Sequence, residues 1–395
     1  MHGITDAPVE APKLADAGFS AVVVYSSDDA ATVNEAGMDA WLCGSGFPLI
    51  RDDDAIKAMG VDGRAYVWFN SASPCAPEVR EASLEAYRRM VGADEVTGIL
   101  IDGCRFASPA SGEAFFTDFS PHARSRAAQL GMDIDLMKRD LPRLRAALRG
   151  LAASPHPAPG ASLHPGTTAA VARLVEALLD YPGVLEWLRF RRAHVTDHFA
   201  AIAEIVHAAG KRCGAYVFTP SLAPLVGQCY ADLAGIMDIV SPMIYRSYPH
   251  APGIAALNHE VAALVEALVP GEAAGRTTGE GPAAHPGQPR EPDASAVAAQ
   301  AFITALLGTL GHGGFAARPA AAAIRAGLAV EIVGTECARA RAALGYDVGL
   351  VPIIQIDDPE LRTAEREVER AGADGIDYFV FNEQWQRQLT GKGSP

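Results

Sequence analysis

Two carboxylates that close apolar runs are the residues best placed to do chemistry. The stretch Thr97 to Pro109 reads TGILIDGCRFASP, with Ile99, Leu100 and Ile101 unbroken by a polar residue, then Asp102, then Arg105. A run of this kind suits a strand buried on both faces, as in a parallel sheet. Gly349 to Asp357, GLVPIIQID, ends the same way. There Gln355 and Asp357 stand two apart and share a face of the strand. Two carboxylates facing each other across a barrel mouth suffice for glycosidic cleavage. One protonates the leaving oxygen while the other attacks the anomeric carbon or activates water. Asp102 and Asp357 form the first candidate pair. Glu383, just past GIDYFVFN, and Glu260, in a first helical turn, are substitutes for the second member.

Groups that would bind a sugar follow from one topological rule. In a barrel, strand ends and helix starts share one face, and barrel enzymes keep their chemistry there. That rule collects Asn70, Arg105, Tyr245, Gln355 and Asn382 from strands, and Trp187, Arg189, Arg191, Asn258 and Glu260 from helix starts. Tyr66, Trp68, Tyr245 and Trp385 would stack on sugar faces, and the asparagines and arginines would bind hydroxyls. Each has a plainer reading. An Asp after a strand is often an Asx-turn or a helix cap, and Asp357-Asp358-Pro359 would serve as one. Glu260 suits a solvated first turn favoured by the helix dipole. His194 and His198 lie in HVTDH, which lacks the glutamate of HExxH, so they read as ordinary helix surface. No metal or cofactor is expected.

The elements that must position these groups alternate. Strands are expected at His2–Thr5, Ala21–Ser26, Arg64–Asn70, the Asp102 run, Arg212–Thr219, Met237–Tyr245, Gly349–Asp357 and Gly375–Asn382, with helices between them. Ala40 to Pro48, AWLCGSGFP, reads as an apolar, glycine-rich loop over the mouth, and Asp52 to Met59 as a helix. The eight strand signals predict an α/β fold, a (β/α)8 barrel. One domain over 1–395 would carry helical insertions after strands four and six. The first insertion spans 103–182, and 270–293, nearly free of large apolar residues, would be a mobile loop.

Size and composition agree with that picture. The chain has 395 residues, long for a barrel of about 250 unless it carries insertions. A net charge of −14 disfavours phosphate backbones and anionic membranes, so neither nucleic acid nor membrane is an expected partner. No apolar run is long enough to cross a bilayer, and MHGITDAPVEAPKL has no signal-peptide pattern, which argues for the cytoplasm. The six cysteines form no CxxC pair and read as reduced, mostly buried thiols. None of the five lysines ends an expected strand, which disfavours a Schiff-base aldolase. No GxGxxG or GxxxxGK[ST] follows a strand, which disfavours a nucleotide-binding open sheet.

Several segments together resemble a known group. ILIDGCRFASP resembles the fourth-strand signature of glycoside-hydrolase-like barrel families, and DIVSPMIYRSY their sixth strand with its Pro-Met-x-Tyr. WLRFRRAHVTDHF resembles their helix before strand five, and IIQIDD a seventh strand bearing Gln and Asp. The resemblance implies a large-clan glycosidase with Asp102 as acid/base and Asp357 opposite, where the clan more usually carries Glu. Three functions compete. The first is a glycosidase acting on an oligosaccharide or glycoconjugate. The second is a non-catalytic carbohydrate-binding barrel. The third is a sugar-acid lyase or isomerase in which Arg105 and Arg191 clamp a carboxylate.

Overall fold

A computed structural model describes residues 6–152, 179–246, 256–268 and 327–379. The expected first strand at 2–5, the loop at 270–293, and Asn382, Glu383 and Trp385 lie outside the described residues.

The chain alternates as its periodicities require. Helix α1 (Ala7–Asp16) is capped by the Asp6 side chain and stops before Gly18, whose φ of 87° ends it. Strand β1 (Ala21–Val24) follows, then α2 (Ser27–Glu35), β2 (Asp39–Ser45), a small hairpin of β3 (Ala58–Met59) and β4 (Ala65–Tyr66), and α3 (Pro77–Met90). Strand β5 (Gly98–Asp102) leads into a 3-10 segment over Pro109–Phe116 and helices α4 (Pro121–Gln129) and α5 (Ile134–Ala152). The long α6 (Pro182–Ala208) returns to β6 (Arg212–Phe218), and β7 (Ile239–Met243) precedes α7 (Leu257–Leu268). Helix α8 (Glu331–Leu344), β8 (Gly349–Leu350), β9 (Ile353–Gln355), α9 (Leu361–Arg370) and β10 (Asp377–Phe379) follow.

The strands make one curled parallel sheet in the order β1-β2-β5-β6-β7-β9-β10, with β8 also on β7. Phe19, just before the outer strand β1, meets Tyr378 on the other outer strand, β10, edge-to-face at 5.8 Å. One apolar cluster on the concave side joins Val23, Trp41, Leu100, Tyr216, Tyr245 and Ile353. A second, larger cluster lies between the convex side and the helices. Trp41 fills the N-terminal end of the concave side. A Cβ at Gly98 would stand 2.5 Å from its ring, so the tryptophan needs a glycine on the neighbouring strand.

Three expectations are corrected. Residues 40–48 are no loop, because Asp39–Ser45 pairs with β1 and β5 as a central strand. Its glycines serve close packing: a Cβ on Gly46 would lie 2.4 Å from the Cα of Cys104. Residues 64–70 are not a barrel strand. Only Ala65 and Tyr66 are extended, antiparallel to Ala58 and Met59, so the alternation there belongs to a hairpin. For the same reason 52–59 is a short 3-10 turn and a strand instead of a helix. The β5 strand is therefore the third of the described sheet. The six cysteines are free thiols, five of them buried.

Candidate functional site

Asp102 is the last residue of β5 and is half-buried. The Gly103 N–H donates to its Oδ1 at 2.7 Å, and the Gly46 N–H donates to its main-chain carbonyl at 2.7 Å. On the neighbouring strand its register partner is Ser45, which is exposed. Strand alternation puts Val23 and Tyr25, Cys43 and Ser45, and Leu100 and Asp102 on the concave side. The Cys43 thiol is pushed well above its ordinary range, first by burial and then by the charges of Asp102 and Asp377. Tyr25 feels the same two carboxylates, after the larger effect of the protein around its ring. Asp102 and Asp377 thus share one interior.

Arg105 turns inward behind Asp102. Its guanidinium sits 4.7 Å from the centre of the Phe218 ring and 5.7 Å from that of Phe69, and it donates to the Phe106 carbonyl at 3.2 Å. Burial lowers its affinity for the proton, and the charges of Glu260 and Asp102 oppose that. Glu260, on α7, is fully buried. It accepts from Ser108 Oγ at 2.7 Å and from the Ala110 N–H at 2.9 Å. Burial raises its carboxyl, while those two hydrogen bonds and Arg105 pull it down. This is no solvated first turn: Glu260 ties the segment after Asp102 to α7. Asn258, two residues earlier, is also buried.

On the far side of the sheet, Gln355 ends β9 and is buried, and Asp357 is half-buried in the following turn. Its neighbour Asp358 makes a buried two-point ion pair with Arg246, Nε to Oδ2 at 2.6 Å and Nη2 to Oδ1 at 2.5 Å. Arg246 follows Tyr245, which is buried against Phe379 with ring centres 4.9 Å apart. The pair therefore joins the ends of β7 and β9 beside Asp357. Across the interior, the Tyr216 hydroxyl of β6 donates to Asp377 Oδ2 of β10 at 2.8 Å.

Other expected binders are spent elsewhere. Arg191 is fully buried and donates to the carbonyls of Leu225 at 2.7 Å, Thr117 at 2.6 Å, Ala107 at 3.3 Å and Phe115. Its guanidinium stacks 3.8 Å from the centre of the Trp187 ring system, whose Nε1 donates to Thr117 O at 2.9 Å. Both residues pin the segment 107–117 to α6. Trp68 is buried, and the Tyr66 hydroxyl donates to Asp62 at 2.6 Å. Asn70 is exposed with a φ of 54°, next to Phe69 at 45°. His194 and His198 are buried instead of lying on a helix surface. His194 Nε2 donates to the Pro74 carbonyl at 2.6 Å and His198 Nε2 to that of Gly46 at 2.9 Å. Burial, then Arg80, lowers both to about 3.

The residues passed over in the sequence are Tyr25, Phe69, Tyr216, Arg246 and Asp377. Strand alternation, carried one residue past the last β-branched position, would have found Tyr25. Nothing local marks Asp377, whose partner stands 161 positions away in sequence.

No family model matches this chain, and no curated protein matches it by sequence. Solved structures share its fold. The glycoside hydrolase domain of PgaB (BpsB) from Bordetella bronchiseptica aligns over 95% of this chain and 87% of its own, with a TM-score of 0.50 at 12% identity. A β-galactosidase from Marinomonas ef1 aligns over 96% of this chain with a TM-score of 0.52, also at 12% identity. This chain spans 53% of that enzyme's length. At such identity the likeness is one of fold, and both neighbours are glycoside hydrolases.

Proposed function

We propose that this protein is a glycoside hydrolase in which Asp102 is the general acid. The observation that carries this reading is Asp102 itself: a half-open carboxylate at the C-terminal end of a parallel strand, held at one oxygen by Gly103 N–H and flanked by exposed Ser45. Chemistry on such sheets collects at that end of the strands. In the proposed step Asp102 gives its proton to the leaving glycosidic oxygen. Asp357 attacks the anomeric carbon or takes a proton from water, and Glu383 is the reserve for that role. Gln355, Asn70 and Asn382 are the proposed polar neighbours of the sugar. In this reading the curled sheet closes into a (β/α)8 barrel within one domain over 1–395, with 103–182 inserted. The approach of Phe19 to Tyr378 supports closure. The ligand is a carbohydrate, and the acidic chain disfavours nucleic acid. The lyase reading loses support, because Arg191 is caged by carbonyls and Arg105 is packed against rings instead of offering a carboxylate clamp.

The test is turnover of activated aryl glycosides by the parent, Asp102→Asn and Asp357→Asn. Loss of general acid catalysis costs about 10²–10⁴-fold. Asp102→Asn should fall by that much and stay folded. Near-parental rates in both variants would show that the pair is wrong, and absence of turnover by the parent would leave a binding barrel as the better account.

A further inference from the structure

Among the described residues, the aromatic rings that open to solvent around Asp102 are not the ones whose types first suggested sugar stacking. Trp68 and Tyr245 are buried, and the Tyr66 hydroxyl is held by Asp62. Tyr25 is 58% exposed and Phe69 is 54% exposed, although both are large. Tyr25 follows β1 directly, Ser45 ends β2, Asp102 ends β5, and Phe218 ends β6. These four strands are successive neighbours in the sheet. Phe69 lies over the same Arg105 guanidinium as Phe218, so it stands on the β6 side of Asp102 while Tyr25 stands on the β1 side.

Between them the floor is small and polar. Ser45 is exposed, and a Cβ on Gly103 would lie 3.8 Å from Ser45 Oγ and 4.0 Å from Ser71 Oγ. Neighbouring strands are spaced by about 4.8 Å, so the row from the end of β1 to the end of β6 spans up to roughly 14 Å. That is longer than one pyranose ring. Exposure alone marks neither ring, since Tyr346 is more exposed than both; what sets Tyr25 and Phe69 apart is their place on either side of Asp102, where a ring face suits the apolar face of a sugar. Phe69 is moreover held outward on left-handed backbone, a conformation that costs energy for a bulky residue and collects at ligand sites.

We propose that the site takes an extended glycan chain laid across the sheet ends, with one sugar on Tyr25, another on Phe69, and the scissile bond between them at Asp102. Sugars on both sides of the scissile bond would then contribute to binding, so the substrate is an oligosaccharide and not a monosaccharide glycoside. This rests on the glycosidase reading above and adds the class of substrate to it.

The experiment uses the full chain and a ladder of linear oligosaccharides of glucose, galactose or N-acetylglucosamine, from disaccharide to hexasaccharide, alongside aryl monosaccharides. KM should fall with chain length in the parent. Tyr25→Ala and Phe69→Ala should each flatten that fall, by about tenfold for the longest member, the size of one lost stacking contact. Tyr25→Phe and Phe69→Tyr keep the rings and should restore it, which separates stacking from a general structural effect. Two results would overturn the proposal: cleavage of an aryl monosaccharide by a parent whose KM ignores chain length, or alanine variants whose length dependence matches the parent. In either case the glycosidase reading survives. If the parent binds and cleaves no member of either set, that reading fails and the extended site fails with it.

Discussion

His198 and Asp102 are joined through a single residue, Gly46. The imidazole Nε2 donates to the Gly46 carbonyl at 2.9 Å, and the Gly46 N–H donates to the Asp102 carbonyl at 2.7 Å. Ser83 Oγ donates to the Ser45 carbonyl one residue earlier, at 3.2 Å. Phe47 stacks on the His198 ring with centres 4.6 Å apart. The end of β2 is thus fixed from behind by α3 and α6, and β2 in turn fixes the main chain at the candidate acid. A carboxylate at an open sheet end needs such backing to hold one position.

Acid should unfold the protein through the two buried histidines. Both titrate near 3 in the fold, against an ordinary value of 6.5. Each stays neutral when folded and takes up a proton when unfolded, so stability is full above about 6.5 and is lost as pH falls towards 3. The slope is at most about 1.4 kcal/mol per pH unit for each histidine. Urea midpoints between pH 7.5 and 4.5 measure it. His194→Gln should make the dependence shallower, and an unchanged slope would show that other groups control it.

Glu260 should matter for the loop after Asp102 and not for proton transfer. Glu260→Ala leaves the Ser108 hydroxyl and Ala110 N–H without their buried acceptor, a cost of about 2–4 kcal/mol. Glu260→Gln retains an acceptor oxygen and should keep most stability and turnover. Collapse of turnover in a stable Glu260→Gln protein would instead make it the second acid.

Breaking the Arg246–Asp358 pair should be costly on one side alone. Asp358→Asn leaves the buried Arg246 guanidinium with Glu360 at 2.9 Å still beside it, so the loss should stay below the penalty of about 3–5 kcal/mol for a fully orphaned buried charge. Arg246→Met with Asp358→Leu should cost less than the sum of its parts. Thermal denaturation of the two single variants and the double variant closes the cycle, and strict additivity would show no coupling.

Gly98→Ala should be destabilising out of proportion to one methyl group. The added Cβ meets the Trp41 ring at 2.5 Å, and overpacking of that kind costs about 1–3 kcal/mol. Gly98→Ala combined with Trp41→Leu should recover part of the loss. Equal midpoints for Gly98→Ala and the parent would mean that Trp41 moves aside freely.

The local signals in this chain were sufficient for most of the described sheet strands and for placing Asp102 at the end of one. Apolar runs such as Ile99–Ile101 and Val22–Val24 declare buried parallel strands, and a carboxylate that ends one is visible without any fold. The same signals misread residues 40–48 and 64–70, because glycine marks both a turn and a close approach, and alternation marks both a barrel strand and a hairpin. Only neighbours in space separate those cases: the Cys104 backbone against Gly46, and Ala58 against Tyr66. The fate of polar side chains was likewise a tertiary matter. Arg191 and Glu260 look like binding groups by type and position, yet carbonyls and loop donors far along the chain consume them. Asp377 and Tyr216 meet because the sheet curls, and Tyr25 and Phe69 face water because it does not cover them. Residue type and spacing determine what a segment can become. Which groups are buried, paired or left open is decided by contacts between distant segments, and those form only when the sheet curls and the helices pack against it.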